Sequence, residues 1–368
     1  MGIGRFAFTP ILPEMQRAQG LALEAAGWLA SANYLGYLVG ALLAGRLAAD
    51  PERALRTALI AVGLTTLAMA FTEALGAWLA LRFAAGVASA FVLVFLSSWS
   101  LERFQAAGSA RAQSFAAATV FAGVGVGIAL AGLACLQLWA AGASPGTAWI
   151  TLGAVALAAS ALLWRSFGDS GRASAAGPRE STAWSRTRVQ LVLCYGAFGF
   201  GYIIPATFIA AMTRELGASG SAWGGWTWPL FGAAAAASTF ASAALRGRFS
   251  GHGIWAVSHV VMAAGIVAPL VIHGLAGYMI SAVLVGGTFM VATMTGIQEA
   301  RRVAGARARP LIAAMTSAFA VGQIAGPLFV ATVQTPESRY DAALAFAAAL
   351  LAASALALFL LPMDAEAQ

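Results

Sequence analysis

Two arginines stand inside apolar stretches of this 368-residue chain, where a charged side chain is unusual. Arg5 lies close to the amino terminus, and Arg82 lies in the apolar segment 76–101. A planar guanidinium can hold a carboxylate or a phosphate through two parallel hydrogen bonds. We therefore predict that one or both arginines bind an anionic group of a small-molecule ligand. The alternative is that each guanidinium bonds helix carbonyls or water and fixes helix packing.

Five further polar side chains in apolar stretches are candidates for the same site. Asn33 and Tyr37 share one helical face because they are four residues apart. Tyr202 takes the place of Arg5 in a second Gly-x-Gly element, and Thr207 follows it near a proline. Gln323 lies in a later apolar stretch. Hydrogen bonding between helices is an equally good explanation of these residues.

Coupling to protons needs a group that titrates, and the apolar stretches hold almost no Asp or Glu. Glu14 and His259 are the candidates. Glu299 stands beside Arg301 and Arg302, which predicts either a gating ion pair or a solvated helix end. The three His and two Cys are scattered, so we predict no metal site and no cofactor.

The composition requires a bilayer. The chain is 60% hydrophobic and only 10% charged, whereas an average soluble domain is roughly half apolar and about a quarter charged. Apolar runs of about 20 residues recur, and in lipid they must be helices because nothing else satisfies the backbone. The formal charge of +7 comes from arginines in short gaps between these runs, so it indicates topology and no nucleic-acid partner.

The apolar runs predict about twelve membrane helices. Complete spans are expected at 24–45, 55–74, 76–101, 114–141, 147–166, 189–212, 222–245, 254–273, 275–299, 310–333 and 340–362. If residues 1–15 belong to one more span, most arginines fall on one side, which the positive-inside rule makes cytoplasmic, with both termini of the full-length form there. Trp223, Trp226 and Trp228 predict an aromatic belt, with a ligand platform as the alternative.

The chain divides into similar halves. We predict a helix bundle at 1–167, a cytoplasmic linker at 168–188, a second bundle at 189–363 and a short tail at 364–368. Both halves open on Gly-x-Gly elements with nearby prolines, which is typical of duplicated bundles whose broken helices line a central site. About ten residues precede this element in the second half but only Met1 in the first. The first helix is therefore expected to lack its cytoplasmic half, through a start-site error or a trimmed chain, or else to be a genuine short re-entrant helix.

Local motifs carry a family resemblance. The segment 45–53 reads Gly-Arg-Leu-Ala-Ala-Asp-Pro-Glu-Arg and resembles the loop signature Gly-x-Leu-x-Asp-Arg-x-Gly-Arg of the major facilitator superfamily (MFS). One residue is inserted before the Asp, and Pro-Glu replaces the usual basic and glycine positions. Segments 4–13 and 286–290 are similar to the YbfB/YjiJ-type branch of this superfamily, and the likeness runs along nearly the whole chain. The Gly-Pro pair of the antiporter signature is absent, since 123–127 reads Gly-Val-Gly-Val-Gly.

The resemblance implies two six-helix bundles related by a pseudo-two-fold axis, with Arg5 and Arg82 facing an outward or central cavity. It implies a secondary active or facilitative transporter of a small organic solute, anionic or zwitterionic, working by alternating access. We expect a monomer in a bacterial-type inner membrane, whose partners are the solute and lipid. Protons are a further partner if transport is proton symport through Glu14 or His259, and uniport and exchange are the alternatives. A drug or metabolite efflux antiporter and a transporter-like sensor without flux are the alternatives, and no enzyme is predicted. The charged loop between the second and third spans supplies further gating candidates: Arg46, Asp50 and Arg53.

Overall fold

The computed structural model describes residues 1–44, 51–105, 110–164, 184–217, 223–245, 250–305, 308–335 and 338–361, and all regular structure within them is helical. The helices are α1 Phe8–Gln19, α2 Leu23–Ala44, α3 Pro51–Ala68, α4 Leu75–Gln105, α5 Ala110–Ala140, α6 Pro145–Leu163, α7 Arg186–Arg214, α8 Thr227–Leu245, α9 Gly251–Val271, α10 Leu275–Ala304, α11 Ala308–Val333 and α12 Asp341–Phe359. Short 3₁₀ turns at Met69–Phe71 and Gly224–Trp226 follow α3 and precede α8.

Nine helices of the described ranges are long and apolar enough to cross a membrane. The other three are α1, α2 and α8. At a rise of about 1.5 Å per residue, the 12 residues of α1 are too few to span a bilayer alone.

The two halves of the chain repeat the same helix pairings. In the first half, α4 packs on α2 and α3, and α3 packs on α6; in the second, α10 packs on α8 and α9, and α9 packs on α12. Between the halves, α2 packs on α11 and α5 packs on α8. Each partner lies six helices from its counterpart, so one pseudo-two-fold operation relates the bundle α1–α6 to the bundle α7–α12.

The first helix is much shorter than its counterpart, with 12 residues in α1 against 29 in α7. Helical turns begin before α1, since the Ala7 amide donates to the Ile3 carbonyl at 2.9 Å. The helix ends at Gly20, whose φ of 64° is left-handed and suits glycine. The chain then turns directly into α2, so this end of α1 is held close to the next helix.

Glycines bring α2 and α4 into backbone contact. A Cβ added at Gly36 would collide with the carbonyl oxygen of Phe83, and one at Gly86 would collide with that of Asn33. Small residues at such positions let membrane helices approach closely. This contact holds the part of α4 that carries Arg82 against α2.

The linker end is the end at which α6 finishes and α7 starts, and the distal end is the opposite one. Most of the predicted linker 168–188, the predicted tail 364–368, and the loop residues Arg46 and Asp50 lie outside the described residues. Arg53 is the third residue of α3, at the linker end.

Candidate functional site

Arg5 lies at the contact between the two bundles and is 4% exposed. Its Nη2 donates to Gln323 Oε1 of α11 at 2.9 Å. The Nε2 of Gln323 in turn donates to the hydroxyl oxygen of Tyr202 on α7. Three predicted site residues that are far apart in sequence therefore form one chain of hydrogen bonds across the bundle interface.

Aromatic rings surround the Arg5 guanidinium. Its carbon lies 4.1 Å from the ring centroid of Tyr37 and 5.5 Å from that of Tyr34. A cation over the face of an aromatic ring is attracted by the ring quadrupole. Within the described residues no carboxylate pairs with Arg5, and its buried Nε has no acceptor. The site thus holds a buried positive charge that the rings only partly compensate.

The ring of Tyr202 is fixed by stacking. It lies between Phe289 of α10, with centroids 5.5 Å apart, and Phe319 of α11, at 5.6 Å, and both pairs are nearly parallel. Stacked pairs in this distance range stabilise by about 0.5–1.5 kcal/mol beyond their burial. The stack directs the Tyr202 hydroxyl toward Gln323, so α10 and α11 both contribute to the position of the amide that binds Arg5.

Arg82 holds the backbone next to Arg5. Its Nη1 donates to the Gly4 carbonyl and its Nη2 to the Arg5 carbonyl, both at 3.2 Å, and the guanidinium lies 5.0 Å from the Phe8 ring centroid. Asn33 donates from Nδ2 to the Arg82 carbonyl at 2.8 Å. Of the two interpretations that the sequence allows, bonding to helix carbonyls is the one that describes Arg82 in this conformation.

Hydrogen bonds join the bundles from the middle of the molecule toward the distal end. The hydroxyls of Tyr34 and Thr207 lie 3.1 Å apart, and Thr9 Oγ1 donates to the Ala206 carbonyl at 2.7 Å. Ser31 donates to the Ile324 carbonyl at 2.9 Å. Thr207 is therefore a contact between bundles, next to the ring that flanks Arg5. These bonds close the distal side of the site.

Glu14 lies at the distal end of the bundle contact and is almost fully buried. It binds Arg17 of its own helix, with the Arg17 Nε 2.8 Å from its carboxylate, and Arg214 at the end of α7. Nearby, Arg339 and Glu215 form a half-exposed ion pair at 3.1 Å. Burial raises the pKa of Glu215 more than Arg339 lowers it. The distal end thus carries a charged network that joins α1 to α7.

Glu299 and His259 lie away from Arg5. Glu299 is buried near the linker end, bound by Arg302 with its Nε at 2.8 Å and close to His252 at 3.8 Å. His259 is inside the second bundle, between Trp255 and Ser354. The structure therefore brings seven predicted site residues together: Arg5, Gln323, Tyr202 and Tyr37, with Arg82, Asn33 and Thr207 around them. The two proton-coupling candidates, Glu14 and His259, both lie outside this group.

Of the three tryptophans predicted as an aromatic belt, Trp223 and Trp226 are 63% and 40% exposed, but Trp228 is 1% exposed. Trp228 packs on Phe6 and Phe231, with centroids 6.2 and 4.9 Å apart. Sequence reasoning missed Phe6, Phe289 and Phe319 as site residues. Phe6 follows Arg5, Phe319 lies one turn before Gln323, and Phe289 belongs to the segment 286–290 that carries the family resemblance. These positions could have pointed to the three rings, but composition and hydropathy do not separate them from other core phenylalanines.

Two bundles of repeated helix pairs, with a polar site at their contact, are the architecture of a major facilitator transporter. The solved structure of the nucleoside transporter NupG has this fold, with a TM-score of 0.74, 12% sequence identity and coverage of 97% of both chains. No curated protein matches the chain.

The family model described as "Uncharacterised MFS-type transporter YbfB" matches residues 1–359. The chain belongs to this family. The predicted fold class and family are thereby confirmed, and the chain is a multi-pass membrane protein of a superfamily for which alternating access is typical.

Proposed function

We propose that this protein transports a small organic solute with an anionic or zwitterionic group, and that Arg5 binds that group. The observation that carries the proposal is the buried Arg5 guanidinium at the bundle contact, without a carboxylate partner among the described residues. A buried charge without an opposite charge is costly in a low-dielectric interior. A bound solute anion would supply the missing opposite charge, and the removal of this cost would favour its binding.

The polar neighbours suit such a solute. Gln323 can release Arg5 and offer its amide to the solute, while Tyr37 keeps the guanidinium in place through its ring face. Arg82 acts as a positioning residue in this proposal because both of its terminal nitrogens are engaged by the Gly4 and Arg5 carbonyls. A nucleoside, the substrate class in the name of NupG, is uncharged at neutral pH and would leave Arg5 unpaired, so we place nucleosides among the negative controls.

Alternating access supplies the mechanism. The bonds from Thr9, Ser31, Tyr34 and Glu14 to the second bundle hold the distal side closed, and the cycle requires them to separate while the linker side closes. We propose a monomer in a bacterial-type inner membrane, with the linker end and both termini of the full-length form cytoplasmic. If protons are coupled to transport, Glu14 is the better of the two candidates because it lies on the bundle contact, whereas His259 lies within one bundle.

The test is ligand stabilisation of detergent-purified protein across organic acids, amino acids, nucleosides, sugars and drugs. A ligand at 100 times its Kd stabilises the folded state by about 2.7 kcal/mol. We expect anionic or zwitterionic compounds to raise the melting temperature, and Arg5→Gln to abolish the rise for those that the protein transports. The compounds found are then tested for counterflow in proteoliposomes.

Arg301→Gln is the matched control, since it removes an arginine charge from an exposed position on α10. It should leave the ligand response unchanged. Stabilisation by neutral or cationic compounds alone, or unchanged counterflow of an anionic compound by Arg5→Gln, would contradict the proposed role of Arg5. Binding without counterflow would instead favour the sensor alternative.

A further inference from the structure

A second cavity lies at the distal end, apart from the Arg5 site. It has a volume of about 490 Å³ and lies between α1, α5, α7 and the turn before α8. Small-molecule sites in proteins commonly have about 300–1,000 Å³. The residues that matter here are Glu14, Arg17, Trp139, Thr213, Arg214 and Trp228.

The charges in this cavity do not balance. The Glu14 carboxylate is 4% exposed and binds two guanidiniums, those of Arg17 and Arg214, whose side chains remain 67% and 43% exposed. One carboxylate for two arginines gives the lining of this cavity an excess positive charge. Arginine is well suited to bind a second carboxylate there because it offers five donors.

The lining of the same cavity has a second, independent feature, which is an unpaired buried donor. Trp228 is 1% exposed, and its indole N–H is buried without an acceptor in the described part of the chain. Buried donors are nearly always paired, and an unmade hydrogen bond is costly. The neighbouring Thr213 hydroxyl donates to the Ala210 carbonyl at 3.1 Å and makes no hydrogen bond with the indole N–H. A ligand with an acceptor oxygen would satisfy it.

We propose that the distal cavity binds a small soluble organic carboxylate, which takes the place of Glu14 on Arg214 and accepts a hydrogen bond from Trp228. Glu14 itself demonstrates that a carboxylate fits against Arg214. The bond between Glu14 and Arg214 joins α1 to α7, so a ligand that breaks it loosens the distal contact between the bundles. The cavity is then a site where an anion from the distal side binds and favours opening.

The probe is benzoate, titrated into the purified full chain by calorimetry, with benzamide as the neutral control. Glu14→Gln removes the competing carboxylate and keeps its shape, so benzoate should bind at least about ten-fold more tightly. Trp228→Phe should weaken it about 2- to 10-fold, which corresponds to the net contribution of one hydrogen bond. Arg214→Gln should remove detectable binding. Arg214→Lys, which keeps the charge without the planar fork, is a milder variant that should weaken it.

Equal binding of benzamide, no gain in Glu14→Gln, or unchanged binding in both Arg214 variants would overturn the proposal. Displacement of benzoate by phosphatidylglycerol would also overturn it, because it would assign the cavity to a lipid headgroup. Arg5→Gln separates the two sites. Benzoate binding that survives this variant supports the distal site, whereas binding lost with Arg5→Gln belongs to the central site and overturns only the distal proposal.

Discussion

At the scale of single residues, the hydrogen bonds of His259 define its chemistry. Trp255 donates its indole N–H to His259 Nε2 at 2.8 Å, and an indole nitrogen can only donate. The Nε2 atom is therefore an acceptor, which assigns the ring proton of a neutral imidazole to Nδ1. That atom lies 3.0 Å from the Ser354 hydroxyl. With both nitrogens engaged inside one bundle, we infer that His259 fixes the packing of α9 and α12.

His259→Phe tests this inference. The change leaves the buried Trp255 N–H without an acceptor, so we expect a loss of about 1–3 kcal/mol in unfolding free energy. Ser354→Ala leaves the buried His259 Nδ1–H without its acceptor and should cost a similar amount. The pH profile of solute uptake should be unchanged in both variants. A shifted profile in His259→Phe with an unshifted one in Ser354→Ala would restore His259 as the proton-coupling residue.

At the scale of elements, the position of Arg82 depends on the glycine contact between α2 and α4. Gly36→Ala introduces a methyl group against the Phe83 carbonyl, and such overpacking typically costs about 1–3 kcal/mol. Alanine is a better helix former than glycine by about 1 kcal/mol, so the expected net loss in stability is the overpacking cost minus that gain. We expect a lower melting temperature in detergent and weaker anion stabilisation, since α4 carries the arginine that holds the Arg5 backbone.

Gly123→Ala is the matched control on α5, because a Cβ there meets nothing within 4 Å. It should be neutral or stabilising through helix propensity alone. Equal effects of the two substitutions would contradict close packing as the role of Gly36.

The elements themselves are largely predictable from the sequence. The predicted span 310–333 agrees with α11 at Ala308–Val333, because apolar length and flanking charge determine such helices. The predicted span 222–245 begins too early, since Gly224–Trp226 forms a 3₁₀ turn before α8. Glycines and a tryptophan are compatible with both conformations, so hydropathy cannot separate the turn from the helix.

At the scale of the whole molecule, contacts between the bundles are the part that sequence reasoning could not supply. Arg5 and Gln323 were both candidates, but their hydrogen bond joins positions 318 residues apart. The salt bridge between Glu14 and Arg214 is equally non-local, since the two residues belong to different bundles. Periodicity and charge describe each helix, whereas the docking of α2 on α11 and α5 on α8 decides which side chains meet.

The packing of α2 on α11 allows a reversible disulfide to be introduced between the two bundles. An ideal Cβ at Gly27 of α2 lies 3.7 Å from the Ala331 Cβ of α11, within the range of about 3.5–4.5 Å that a disulfide needs. The nearest other atom, the Pro327 carbonyl oxygen, is 3.0 Å away and requires a small shift. The pair Gly27→Cys and Ala331→Cys is introduced after Cys135→Ala and Cys194→Ala remove the two buried free cysteines.

Oxidation should join the bundles at the distal end and stop solute uptake into proteoliposomes, and reduction should restore it, because alternating access requires this contact to separate. Gly287→Cys with Ala234→Cys is the control, since these positions are 3.9 Å apart but both lie in the second bundle. Its disulfide should leave uptake nearly unchanged. Crosslinking is verified by mass spectrometry. Full uptake by the oxidised Gly27→Cys/Ala331→Cys variant would show that the distal contact between α2 and α11 does not open during transport. The rocking of two rigid bundles would then have to be abandoned.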